Sequence, residues 1–277
     1  MIPSGPNQSY KRLTTYWILV LPALLWFLAF FLFPLADVLR TSLNEWQSIL
    51  RPRKFIGLDN YRSMLGDPVF YLVLKNSILR VFINFFLMMP VALILGHLIA
   101  LKPAGAHFFR VLFFFPFLLS AIASALIWWL IFLPDGVLNS FLETIRRPEL
   151  QRAWVANSRT AFAATVIPMV WTAIGFYAVL FFSVLQDIPS SLFEAAEIDG
   201  LSAMGRFLKI SLPLSLPFMG VYFIWELIGG FNNFGSIVVL TRGGPGNSSS
   251  ILGYYAFEEA FRYRHLGYAS ALSVLTF

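Results

Sequence analysis

Glu226 is the residue in this chain whose position most demands a chemical reason. It lies well inside an apolar run, in Val221-Tyr222-Phe223-Ile224-Trp225-Glu226-Leu227. An ionised carboxylate near a bilayer centre costs about 2.5–3.5 kcal/mol on insertion scales, so such groups face a bundle interior or a water-filled path. Two roles are open. One is hydrogen bonding to a polar substrate or lining its route. The other is a structural pair with a polar group such as Asn84 or a partner chain. Asn232 and Asn233, flanked by Phe231 and Phe234, form an aromatic–amide cluster on the same run. Aromatic faces with a few placed amides or carboxylates suit a sugar. In a chain with 30 Phe, the rings alone read more readily as packing or lipid-facing bulk. Gly229 and Gly230 would let the helix break where backbone lines a cavity. Tyr177 and Trp171 are weaker candidates for the same path. Arg80 and Asn84 lie one helical turn apart, and Arg80, near the end of its run, is expected to snorkel to the interface.

Nothing else in the sequence suggests chemistry on a substrate. His97, His107 and His265 are far apart and lack metal-ligand spacing, so no catalytic residue and no metal site is assigned. Gly243–Ser250 is glycine-rich but lacks the Lys of a phosphate-binding loop and reads as a flexible turn. There is no Cys, which excludes disulfides and Cys-based metal sites. The net charge of +6 is scattered over several loops, without the basic aromatic stripe of a nucleic-acid binder.

The elements that must hold these residues are membrane spans. The chain is 58% hydrophobic and 12% charged over 277 residues, too little polar surface for a soluble domain. Apolar runs of about 18 or more residues read as transmembrane helices. Five are complete: 16–36, 77–101, 111–133, 161–185 and 214–233. A sixth begins near Gly267 and reaches only Phe277, as though the natural chain continued. The expected fold is therefore all-α, a polytopic transmembrane bundle of six spans with the sixth cut short. Residues 1–15 form a tail and 16–277 the membrane domain. Lys11 and Arg12 precede a run too long for a signal peptide, so the first span is retained. Pro90, Pro116, Pro168 and Pro217 fall inside spans and are expected to kink them.

The polar island Glu194–Pro213, EAAEIDGLSAMGRFLKISLP, lies between two of these runs. Ser191 and Glu194 have capping-box spacing, which predicts a helix start. Gly200 supplies a left-handed stop. Ser202 caps a second short helix, which Pro213 is expected to end. By itself this is a bent helix–turn–helix connector.

Glu194-Ala195-Ala196, Asp199-Gly200, Phe207, Ile210 and Leu212-Pro213 match in order and spacing the EAA signature of permeases of binding-protein-dependent ABC importers. Phe55-Ile56-Gly57-Leu58-Asp59-Asn60-Tyr61 resembles the F-x-G-L-x-N-Y element after the first span of sugar-type permeases. Thr241-Arg242-Gly243-Gly244-Pro245-Gly246 resembles their T-x-G-G-P-G element before the sixth. The chain thus resembles the maltose / glycerol-3-phosphate type. It departs at Leu201, where the family often has Ala, and at Arg242, where Gly is frequent.

The resemblance implies a multi-pass permease of a bacterial or archaeal cytoplasmic membrane, not an enzyme, with its N-terminus inside. It implies a second permease subunit and an extracytoplasmic solute-binding protein as partners. Two ATPase subunits would carry ATP and Mg, and this chain would bind no cofactor. Glu194, Ala195, Ala196, Asp199, Gly200, Phe207, Ile210 and Pro213 would couple to the ATPase, with the small face of Ala195 and Ala196 allowing close approach. Charge bias argues against this orientation. Lys11, Arg12, Lys102, Arg110, Arg206 and Lys209 would lie inside, and a larger basic set outside. The alternative class is a secondary transporter or channel using Glu226 for ion coupling. A membrane enzyme would need a clustered site that the sequence lacks.

Overall fold

The computed structural model describes residues 6–48, 50–101 and 105–277, with side chains from residue 17 onward. The basic residues Lys11, Arg12 and Lys102 fall outside the described side chains. Among the described residues the structure is mainly helical. Among the described residues five helices are long and apolar enough to cross a membrane: Trp17–Ser42, Pro68–Ala100, Ala121–Thr144, Ala161–Gln186 and Ala203–Leu240. Contacts divide the chain into two compact units, one made of the segment up to Gly66 with Ala256–Leu275, the other of Asp67–Tyr255.

In the first unit α1 (Pro6–Phe27) runs through a π turn at Leu28–Leu32 into α2 (Phe33–Ser42). Two short strands follow, β1 (Asn44–Glu45) and β2 (Lys54–Phe55), paired antiparallel, with Asn44 opposite Phe55. Helix α3 (Asp59–Gly66) closes this segment. The F-x-G-L-x-N-Y element is a clasp. Asn60 Nδ2 donates to the carbonyls of Ser42 and Asn44 at 2.8 and 3.0 Å, and the Tyr61 hydroxyl meets Ser42 Oγ at 2.7 Å. Buried carbonyls at a strand end need such donors.

The second unit opens with α4 (Pro68–Ala100), capped by Asp67, whose carboxylate accepts from Val69 N–H at 2.8 Å. This helix starts nine residues ahead of the expected 77, because Asp67-Pro68 is a cap followed by proline at N1. The expected third span, 111–133, is broken. Helix α5 (Ala106–Phe114) and a 3₁₀ turn at Phe115–Leu118 end at an extended Leu119. Ser120 then caps α6 (Ala121–Phe132) through Ala123 N–H at 3.1 Å. Pro116 cannot donate, and a serine cap offers the chain a new start. Helix α7 (Val137–Thr144) occupies what reads in sequence as a loop.

Helix α8 (Ala161–Gln186) packs along α4. Met88, Met89, Ala92, Leu93, Ala178 and Phe181 form the core between them. A Cβ on Gly96 would sit 2.8 Å from the Ala178 carbonyl, so the two backbones meet there. Then come α9 (Ser190–Ile198), α10 (Ala203–Arg206) and α11 (Leu212–Asn232). α12 (Gly235–Leu240) and α13 (Leu252–Phe261) follow, and α14 (Leu266–Thr276) belongs mainly to the first unit. α4, α8 and α11 run through Pro90, Pro168 and Pro217, whereas the chain breaks just after Pro116.

The glycine-rich loop is tied down rather than flexible. Asn76 Nδ2 lies 3.3, 3.2 and 2.9 Å from the carbonyls of Asn247, Ser248 and Ser250. Ser249 Oγ donates to Thr241 Oγ1 at 2.7 Å or to the Gly244 carbonyl at 2.9 Å. Arg242 sits at φ 50°, a left-handed conformation that explains why glycine suits this position. Replacing Asn76 with Ala removes the shared donor and is expected to destabilise the protein by about 1–3 kcal/mol. Hydrogen exchange should quicken across residues 241–250 before it changes in α8.

Candidate functional site: a membrane cavity and an exposed helical elbow

Two adjoining cavities of about 220 and 190 Å³ share Phe117, Met169, Thr172 and Asn233 as walls. The larger is also lined by Glu226, Tyr177, Phe176 and Trp225. Phe117 stacks on Phe176 with ring centroids 4.4 Å apart and planes at 16°, and Trp225 meets Phe176 edge-on at 6.0 Å. The result is an aromatic wall facing one carboxylate and one amide.

Glu226 is 7% exposed, and its Oε1 accepts from Asn84 Nδ2 at 2.8 Å. The carboxylate is thus paired with Asn84, and it also borders the cavity. Arg80 does not snorkel. It is 0% exposed and donates through Nη2 to the Met169 sulfur. Its Nε and Nη1 and the Asn84 Oδ1 have no hydrogen-bond partner. The correction has a simple cause. Helix α4 extends nine residues beyond the expected start of its span, so Arg80 lies in its interior, where α8 and α11 cover it.

Of the six residues expected along a substrate route, Glu226, Asn233 and Tyr177 share one cavity. Asn232, Phe231 and Phe234 line neither cavity. Asn232 turns its amide to the Ile228 carbonyl at 3.1 Å, and Phe234 packs on Tyr254 at 5.8 Å. Trp171 packs edge-on against Trp128 instead. The expected helix break at Gly229-Gly230 falls at Asn233, which ends α11 with ψ 91°. A Cβ at Gly230 would collide with Val81, so this glycine serves close packing. Met169, Thr172 and Phe176 escape notice in the sequence. Their spacing of three and four places them on one face of α8, but so many apolar residues surround them that the stripe carries no contrast.

The polar island forms an exposed elbow. Helix α9 starts at Ser190 after Pro189, without a side-chain cap, so Ser191 is not the cap its spacing suggests. Gly200 has φ +76°. Leu201 N–H reaches the Ala196 carbonyl at 2.9 Å and Gly200 N–H that of Glu197 at 3.0 Å, the paired bonds of a Schellman stop. Ser202 Oγ accepts from Gly205 N–H at 3.1 Å and starts α10. Pro213 does not end this helix. A π turn at Phe207–Ser211 leads directly into α11, and Leu212 N–H reaches back to the Phe207 carbonyl. The wider turn relieves the clash a proline ring makes with the preceding turn.

Glu194, Ala195, Glu197 and Asp199 are exposed, and Ile198 is 87% exposed. Ala196 is buried against its own chain, so the small face available outside is Ala195 alone. Phe207 points inward, edge-on to the His97 ring at 5.1 Å, while His97 Nδ1 meets Ser211 Oγ at 3.1 Å. The elbow is thus anchored to the end of α4. His97 belongs to this anchor, a role that a search for metal spacing passes over. Arg206 bridges back to Glu197 at 2.8 Å across the elbow.

A helical membrane chain with an aromatic cavity inside and a capped elbow outside defines a transport permease. Residues 63–277 match the family described as binding-protein-dependent transport system inner membrane component, and the chain belongs to that family. It is 34% identical over 262 residues to the probable ABC transporter permease YurN of Bacillus subtilis, covering 94% of this chain and 89% of that one. It is 32% identical over 279 residues to the multiple sugar-binding transport system permease MsmF of Streptococcus mutans, covering 96% and 92%. A bacterial alginate ABC transporter, solved in complex with an alginate pentasaccharide-bound periplasmic protein, shares the fold. The TM-score is 0.84 at 18% identity, over 97% of this chain and 91% of that one.

Proposed function

We propose that this chain forms half of the translocation path of an ATP-driven importer for a sugar or related polyol. The elbow Ser190–Arg206 docks on a separate ATPase, which binds ATP and Mg. A second permease completes the path, an extracytoplasmic solute-binding protein delivers the substrate, and the N-terminus lies inside. The observation that carries this reading is the continuity from α10 through the π turn into α11. A push on α10 passes through a continuous helix toward Glu226 and Asn233, and α9 joins α10 through the short Gly200 turn held by its two backbone bonds. The sugar class is supported by the sugar-binding transport system of MsmF and by the aromatic wall opposite Glu226.

The absence of Cys makes the test clean, because Ile198→Cys introduces the sole thiol of the chain. In membranes that hold the native partners, a short bifunctional cross-linker should join it to an ATPase subunit. Affinity purification should recover a second permease alongside. An Ile198→Cys chain that purifies alone, with no cross-link from its thiol to an ATPase, would sink the coupling role.

A further inference from the structure

The smaller of the two adjoining cavities differs in chemistry from the larger. It sits where α6, α8 and α12 pack together, and Asn233 at the end of α11 borders it. The packing is close, since a Cβ on Gly235 would lie 2.9 Å from that of Ala121. About 190 Å³ stays open, and among the described residues no ionisable side chain lines it. Four polar side chains do: Ser124, Thr172, Asn233 and Ser236.

Two of the four have committed their only proton. Ser236 Oγ donates to the Thr165 carbonyl at 3.0 Å, and Thr172 Oγ1 to the carbonyl of Pro168 or Met169, each at 3.0 Å. What they still offer is lone pairs. Ser124 is different. Ser77, Ser183, Ser215 and Ser270 each donate to the carbonyl one helical turn back. Ser124 does not. It is 2% exposed, and its hydroxyl has no hydrogen-bond partner among the described residues. A buried hydroxyl left in that state is unfavourable, so this wall calls for a polar group from outside the chain. An anion has no proton for Thr172 or Ser236, and a cation would find no counter-charge in the wall. A ring bearing several hydroxyls both donates and accepts, and carries no charge.

We propose that the smaller cavity is a second sugar subsite, with Ser124 as its specificity-determining residue. It holds one neutral ring, whose hydroxyls donate to Thr172 and Ser236 and meet the Ser124 hydroxyl. The neighbouring ring of the same molecule lies against the aromatic wall of the larger cavity. Phe117, Met169, Thr172 and Asn233 border both spaces, so one molecule passes from one to the other along a common wall. The substrate class is then a neutral sugar of at least two rings. This inference rests on the sugar path proposed above.

The test is thiol protection. The chain has no Cys, so Ser124→Cys places its sole thiol on the smaller cavity, and Ala173→Cys places it on the larger alone. In the complex purified with its native partners, a small neutral methanethiosulfonate labels the thiol, and the mass of this chain reports the labelling. Maltose, cellobiose, lactose and sucrose are the probes, with glucose and galactose as single rings. At least one disaccharide should slow labelling at both positions, about tenfold at about ten times its half-protecting concentration. The single rings, drawn to the aromatic wall, should protect only Ala173→Cys. In the Ala173→Cys chain, Ser124→Ala should raise the half-protecting concentration of that disaccharide about fivefold, the effect of losing one hydrogen bond. It should not move the value for the single rings. Protection of Ala173→Cys alone by every disaccharide would overturn the second subsite and leave the sugar path standing. Equal protection of both thiols by a single ring would overturn the two-ring assignment, and an unchanged Ser124→Ala value would remove Ser124 from recognition. Protection of neither thiol by any probe would overturn the sugar path and this inference with it. Where Ser124→Cys fails to assemble, Ser236→Cys reports on the same cavity.

Discussion

Gly200→Leu should abolish uptake while the protein still inserts and melts near the wild-type temperature. A Cβ at this position would meet no atom within 4 Å, so the substitution creates no collision. The penalty is in the backbone. At φ +76° an L-residue pays about 1–2 kcal/mol for the left-handed conformation. The chain can escape this only by rotating the junction of α9 and α10. That movement breaks the bonds from Leu201 N–H to Ala196 and from Gly200 N–H to Glu197 and swings the exposed face of α9 away. Gly200→Asn supplies the control, because asparagine tolerates the left-handed region best among non-glycine residues. It should recover a large part of the uptake. Equal loss in the Leu and Asn variants would mean that the turn's conformation is not what matters. Full uptake by a correctly inserted Leu variant would remove the elbow from the coupling mechanism altogether.

The second large effect is expected at the buried charges. Arg80 and Glu226 are buried opposite charges linked through one residue: Arg80 stands one helical turn before Asn84 on α4, and Asn84 donates to Glu226. Arg80→Met leaves Glu226 with only the Asn84 amide, and Glu226→Gln leaves Arg80 with only the Met169 sulfur. Removing one partner of a buried pair typically costs about 3–5 kcal/mol, because the other charge stays uncompensated. Each single variant should therefore melt well below the wild type in detergent. Replacing both partners with groups of similar volume is often nearly neutral. The double variant Arg80→Met with Glu226→Gln should recover most of the lost stability. Its uptake then separates the two roles of Glu226. Restored stability without uptake assigns the carboxylate to the substrate. Restored stability with normal uptake makes the pair purely structural. Additive losses in the double variant would show that the two charges do not act on one another.

Much of the architecture was legible because its causes are local. A run of apolar residues long enough for a bilayer announces itself, and five such helices are present among the described residues. Gly200 and Ser202 follow from rules that involve a few neighbouring residues, and the structure places the helix stop and the helix cap where those rules put them. The errors were local conflicts decided by more distant forces. Pro213 is a helix stop by propensity, yet a π turn absorbs it and the helix continues. Ser191 has capping-box spacing with Glu194, but the helix is capped two residues earlier, at Pro189. Pro116 and Ser120 together mark the break between α5 and α6, a signal that uniform hydrophobicity conceals.

The sequence by itself determined the class of this protein: a helical membrane chain carrying an elbow whose residue order resembles that of importer permeases. It could do so because bilayer length, helix stops and caps depend on residues close together in the chain. Only the tertiary structure decided which side chains share a space. Glu226 meets Asn84 across 142 positions, and Arg80 meets Met169 across 89. Asn233 enters the cavity while its neighbour Asn232 turns back to its own helix. One residue along a helix rotates a side chain by about a hundred degrees, since a turn takes 3.6 residues. In an almost uniformly apolar chain, the partner that the rotated side chain meets is fixed by packing between helices, which no spacing in the sequence records.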